Sequence, residues 1–82
     1  MSKTEFTLEG EYIEVNLLLK LVGVCDSGGA GKMLVANGEV SVDGVAEARK
    51  TAKIRAGQTV TCGDVEILVV ADPSGNADGR VK

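Results

Sequence analysis

The sequence predicts an α+β fold, two short helices packed on a small, mostly antiparallel sheet. Three observations point there. A leucine-rich stripe of helical period lies in the first third of the chain. A second, shorter segment opens on a serine and closes on Asn-Gly. Everything after it alternates in the manner of strands, cut by Asp-Gly and Gly-Asp pairs.

Taken in order, residues 5–9 (EFTLE) alternate with Phe6 and Leu8 on one side, which predicts a short edge strand. Val15, Leu18, Leu19 and Val22 recur at i, i+3, i+4 and i+7, so a helix is expected over 14–22 with Gly23 as its stop. Ser27 can cap a second helix by accepting a hydrogen bond from a first-turn amide. Gly28 and Gly29 weaken that turn, because glycine loses more backbone entropy on ordering. Ala30, Met33 and Leu34 supply its expected core face, and Asn37-Gly38 ends it, giving a helix over 28–37. Residues 39–42 alternate polar and apolar. Asp43-Gly44 then suits a two-residue hairpin turn whose central residues need positive φ, and Val45 begins the return. Residues 46–53 (AEARKTAK) have a helical composition but sit between β signals, so an irregular segment or brief strand is expected. Ile54 anchors it, and residues 56–58 turn. Residues 59–62 and 65–71 pair across Gly63-Asp64. Residues 1–71 are thus expected to form a single domain. Residues 72–82 (DPSGNADGRVK) carry almost nothing apolar and are expected to be a disordered tail.

Composition narrows the function. The length of 82 residues allows one domain, and 44% hydrophobic residues suffice for a core. Phe6 and Tyr12 are the chain's aromatics, both near the N-terminus, which offers no obvious platform for stacking single-stranded bases. Net charge is −3, against the basic balance usual in nucleic-acid binders. The distribution qualifies that sum. Lys32, Arg49, Lys50, Lys53 and Arg55 outnumber Glu39, Asp43 and Glu47 within residues 27–57, a basic island between acidic flanks. There is no histidine, and Cys25 and Cys62 are far apart, so no metal site is expected. The economical reading of the two cysteines is reduced, buried thiols. The first residues lack the apolar stretch of a signal peptide, and runs such as 67–71 are too short to span a bilayer, so a cytoplasmic protein without membrane contact is expected.

The motifs give little support to catalysis. In DSGGAGK (26–32) the first glycine of a Walker A loop would fall on Asp26, and the residue after Lys32 is Met33 where Ser or Thr belongs. A Gly-x-Gly-x-x-Gly pattern fails at Leu34. What survives is a helix start with exposed amides and Lys32 one turn in, able to hold a phosphate oxygen. A plain cap with tightly packed glycines explains the same residues. Arg49, Lys50, Lys53 and Arg55 would bring several cations together without an aromatic neighbour, which suits phosphates more than base edges. A solvated edge that discourages aggregation would look similar. Scattered carboxylates and a lone Cys25 near a helix start provide no acid–base pair, so no enzyme and no cofactor are expected.

The stretch from Leu17 to Val60 resembles the S4 RNA-binding domain. The carrying features are the leucine-rich helix, Ser27 before a helix bearing Lys32, then Gly38, Val40, Val42, Asp43-Gly44, a basic stretch, and Gly57 and Val60 ahead of a final strand. Small stand-alone bacterial members share its length and its Ser-Gly-Gly. One departure is Gly28, where many members have arginine after the capping serine. The resemblance implies an S4-like (αL) fold that binds structured RNA, ribosomal or transfer RNA-like, through backbone phosphates. It implies contacts from Ser27, Gly28, Gly29 and Lys32 at the helix start. Arg49, Lys50, Lys53 and Arg55 would line the adjacent edge, and Lys20 would border it. A monomer is expected. The alternative is an adaptor that keeps the fold and binds a protein partner instead.

Overall fold

The leucine stripe folds as a helix, shorter than the expected 14–22 because Glu14 joins a strand and Val22 is the C-terminal cap residue. The computed structural model describes residues 2–72. The elements run β1 (Ser2–Leu8), β2 (Ile13–Glu14), α1 (Val15–Leu21), α2 (Gly28–Ala36), β3 (Val40–Val42), β4 (Val45–Ala46), β5 (Lys53–Ile54), β6 (Thr59–Cys62) and β7 (Val65–Ala71). Apart from Asp72, the tail expected over 72–82 lies outside the described residues.

Both helices end the same way. At α1 the Gly23 amide donates to the Lys20 carbonyl and the Val24 amide to Leu19. At α2 Gly38 donates to Val35 and Glu39 to Leu34. This crossed pair of bonds needs a left-handed residue after the last turn, and Gly23 (φ 86°) and Gly38 (φ 77°) supply it. The Ser27 hydroxyl accepts from the Ala30 amide at 3.1 Å, capping α2 as its sequence suggests. At the hairpin, Asp43 and Gly44 both take positive φ, 52° and 84°.

The main sheet has five strands in the order β1-β7-β6-β3-β4. All its pairings are antiparallel except that of β1 with β7, which is parallel, Ser2 facing Val65 and Leu8 facing Ala71. The sheet is therefore mixed, with β1 at one edge as expected. β2 and β5 form a separate antiparallel pair, Ile13 opposite Ile54. Leu18, Leu19 and Val15 of α1 and Val35 of α2 pack onto Val40, Val60, Ile67, Val69 and Ile54. All are essentially buried, each such side chain adding about 1.5–3 kcal/mol of hydrophobic stabilisation.

Two expectations about side chains fail. Met33 is not a core residue but 60% exposed. The buried face of α2 is narrower, built on Gly31 and Val35 with Leu34 beside them. The reason is close approach: a Cβ on Gly31 would lie 2.5 Å from the Asn16 carbonyl oxygen, so backbone meets backbone at this seam. Cys25 is half-buried rather than buried, and its Sγ–H donates to the Ser27 carbonyl at 3.3 Å. Cys62 is buried, and both thiols are free. Among the described residues no helix is long and apolar enough to cross a membrane.

Candidate functional site

The first turn of α1 organises the site. The Val15 amide donates to the Ala52 carbonyl at 2.8 Å, tying this turn to the basic segment 49–55. The next residue, Asn16, is buried and donates from Nδ2 to the Gly28 carbonyl at 3.3 Å, tying the same turn to the start of α2. Two segments more than a dozen residues apart are thus fastened to adjacent positions of one helix. Asn16 escaped the sequence reading because it interrupts an apolar stripe like any solvent-facing residue.

At the α2 start, Ser27 and Gly29 are exposed and Gly28 is half-buried. A Cβ on Gly28 would meet Asn16 Nδ2 and Leu17 Cδ2 at 3.3 Å, so a larger residue there would have to push on α1. Lys32 is exposed one turn further on. Lys20 is exposed too, on α1 three residues along from Leu17.

The basic segment is extended rather than helical. Lys50 sits in a turn, and Lys53 begins β5. Ile54 is buried, so alternation sends Lys53 and Arg55 outward together. Arg49 is partly neutralised: its Nε lies 3.5 Å from Glu47 Oε2, which also accepts from the Arg49 amide at 2.8 Å. Arg55 is held by its backbone amide donating to Gln58 Oε1 at 2.7 Å and by Nη1 donating to the Glu11 carbonyl at 3.4 Å.

The expectation that these cations lack an aromatic neighbour is overturned. Lys53 Nζ lies 5.0 Å and Arg55 Cζ 5.9 Å from the centre of the Tyr12 ring. The β2–β5 register explains it. Tyr12 precedes Ile13 and Arg55 follows Ile54, so the two stand across from each other with Lys53 diagonal. Each cation–π contact at such an exposed position contributes about 0.5–1 kcal/mol. Tyr12 is 42% exposed and anchors two of the island's cations, a role no local sequence signal announces.

Residues 6–70 match the family model described as S4 domain, and the chain belongs to that family. It is 47% identical over 60 residues to YbcJ of Escherichia coli K12, an overlap of 73% of this chain and 86% of that protein. The same figures hold for YbcJ of Shigella flexneri. Its fold is similar to the solution structure of YbcJ from Escherichia coli, described as revealing an αL motif involved in RNA binding. That likeness has a TM-score of 0.63 at 41% identity, over 87% of this chain and 89% of the other.

Proposed function

We propose that the chain is a non-catalytic module that binds structured RNA, ribosomal or transfer RNA-like, through its backbone phosphates. The observation that carries this is the shared anchorage at Val15 and Asn16, which ties both the α2 start and the basic segment to one turn of α1. Ser27, Gly28, Gly29 and Lys32 would take a phosphate at the helix start, where amides point outward. Lys50, Lys53 and Arg55 would follow the backbone beyond it, with Lys20 at the border and Arg49 contributing less because Glu47 shares its charge. The description of the YbcJ structure supports the reading. Such a surface reads the shape and phosphate spacing of a folded RNA. In this reading one copy carries the whole face, and the protein works in the cytoplasm, where such RNA resides.

The test is binding to transfer RNA and to ribosomal RNA fragments at several salt concentrations, beside a Lys50→Ala/Lys53→Ala/Arg55→Glu variant. If about three to five cations displace counterions, the log–log salt slope is roughly −2 to −4. The variant should bind more weakly with a shallower slope. Equal binding by both proteins, or none by either, overturns the proposal.

A further inference from the structure

The free edge of β1 presents a pattern that the RNA reading does not use. β1 is the outer strand of the main sheet, bonded to β7 on one side. The Ser2 amide donates inward, to the Asp64 carbonyl at 2.7 Å. Strand alternation then turns the backbone N–H and C=O of Lys3, Glu5 and Thr7 to the unpaired side. The side chains of Lys3, Thr4 and Glu5 are all exposed, and among the described residues neither Lys3 nor Glu5 has an ion-pair partner.

We propose that this edge pairs with β1 of a second copy of the chain, antiparallel, with the two-fold axis at Thr4. An antiparallel ladder closes when outward-facing residues stand opposite one another. An axis at Lys3 would set lysine against lysine, and one at Glu5 would set glutamate against glutamate. An axis at Phe6 would leave Lys3 without a charged partner inside the strand. At Thr4, each Lys3 faces Glu5 of the second copy as a hydrogen-bonded pair, twice by symmetry. Lys3 also lies across from Glu66 in its own sheet, so it would stand between two carboxylates. Charges on an edge strand ordinarily discourage pairing. Here their spacing of two makes the strand complementary to itself in one register, the isologous contact of a two-fold dimer. The expectation of a monomer does not anticipate this, because composition is blind to which backbone groups an edge turns outward. The proposal does not depend on the RNA reading.

A register-specific cross-link tests it, in the full chain with Cys25→Ser. Across a non-hydrogen-bonded pair the Cα atoms of the two Thr4 residues would be about 4.5 Å apart, within the roughly 4.4–6.8 Å that a disulfide spans. Thr4→Cys should therefore form a reducible dimer under mild oxidation. Lys3→Cys and Glu5→Cys should not, since each lies about two residues along the strand from its own copy, beyond roughly 7 Å. In sedimentation equilibrium without cross-linking, wild type should move toward a dimer as concentration rises. Lys3→Glu or Glu5→Lys alone should weaken that association roughly tenfold, because each turns two attractive cross-strand pairs into repulsive ones. The double reversal Lys3→Glu/Glu5→Lys should restore it. A wild-type protein that stays monomeric at every concentration, three cysteine variants that cross-link alike, or a double reversal no better than the singles overturns the proposal.

Discussion

Replacing Gly31 with alanine tests the helix seam on which the site is built. The new methyl carbon would lie 2.5 Å from the Asn16 carbonyl oxygen, 2.9 Å from its Cα and 3.1 Å from its carbonyl carbon. These are backbone atoms of another helix, so no side chain can swing aside, and α1 and α2 must separate by about 1 Å to reach ordinary contact. Overpacking of this kind costs about 1–3 kcal/mol, and backbone-on-backbone contact belongs at the upper end. Better helix propensity returns up to about 1 kcal/mol. The net expectation is a loss of about 1–2 kcal/mol, or a fall in Tm of roughly 5–15 °C for a domain of this size. Gly29→Ala is the matched control. Its methyl meets only Ser27 Oγ, at 3.8 Å, so it should be neutral or stabilise by about 0.4–1 kcal/mol through the unfolded chain. Urea and thermal unfolding followed by circular dichroism measure both. If Gly31→Ala is as stable as wild type, or if the two variants shift in the same direction by the same amount, the close seam does not exist as described. RNA affinity should fall in Gly31→Ala as well, because the displaced turn holds both halves of the proposed face.

Three further outcomes are expected. Ser27→Ala removes the α2 cap and should lower stability by about 1 kcal/mol, while Ser27→Asp, which can cap, should lose far less. Tyr12→Ala should leave folding nearly intact yet weaken RNA binding severalfold, because Lys53 and Arg55 lose the ring that positions them; Tyr12→Phe should keep most of the affinity. Burial pushes the Cys62 thiol up, with Glu39 and Cys25 adding to the shift. Above the ordinary thiol range the unfolded chain ionises while the folded one keeps its proton, so stability should fall as pH rises through that window. Cys62→Ala should flatten the slope, and a thiol reagent should reach Cys25 well before Cys62.

The parts of the fold written in neighbouring residues were legible. Val15, Leu18 and Leu19 announced their helix, Gly23 and Gly38 their stops, Ser27 its cap, and Asp43-Gly44 its turn, because each signal acts within a few residues. What was not legible depends on distant backbone. Met33 sits at a helical core position, yet it faces water because Gly31 draws α2 against Asn16 along a different line. Tyr12 looked isolated because only the two-residue pairing of β2 with β5 carries it across to Arg55. The candidate cations were visible as a cluster. The common anchorage of their segment and the α2 start on one turn of α1 was not, since it depends on Val15 bonding to Ala52 and Asn16 to Gly28.

The parallel pairing of β1 with β7 sets the order in which the fold can assemble. Ser2 faces Val65 and Leu8 faces Ala71, so among the described strands β1, made early, has to wait for β7. The helices and the β3–β4 hairpin can form from local contacts while the chain is still emerging. The long stretch between β1 and β7 must then close to seat β1, and that entropy is lost before any contact rewards it. Until closure, β7 offers its own edge to any passing strand. The time between synthesis of the two strands is thus the interval in which this chain is most exposed to aggregation, and shortening that interval would raise its folding yield without altering one contact in the finished structure.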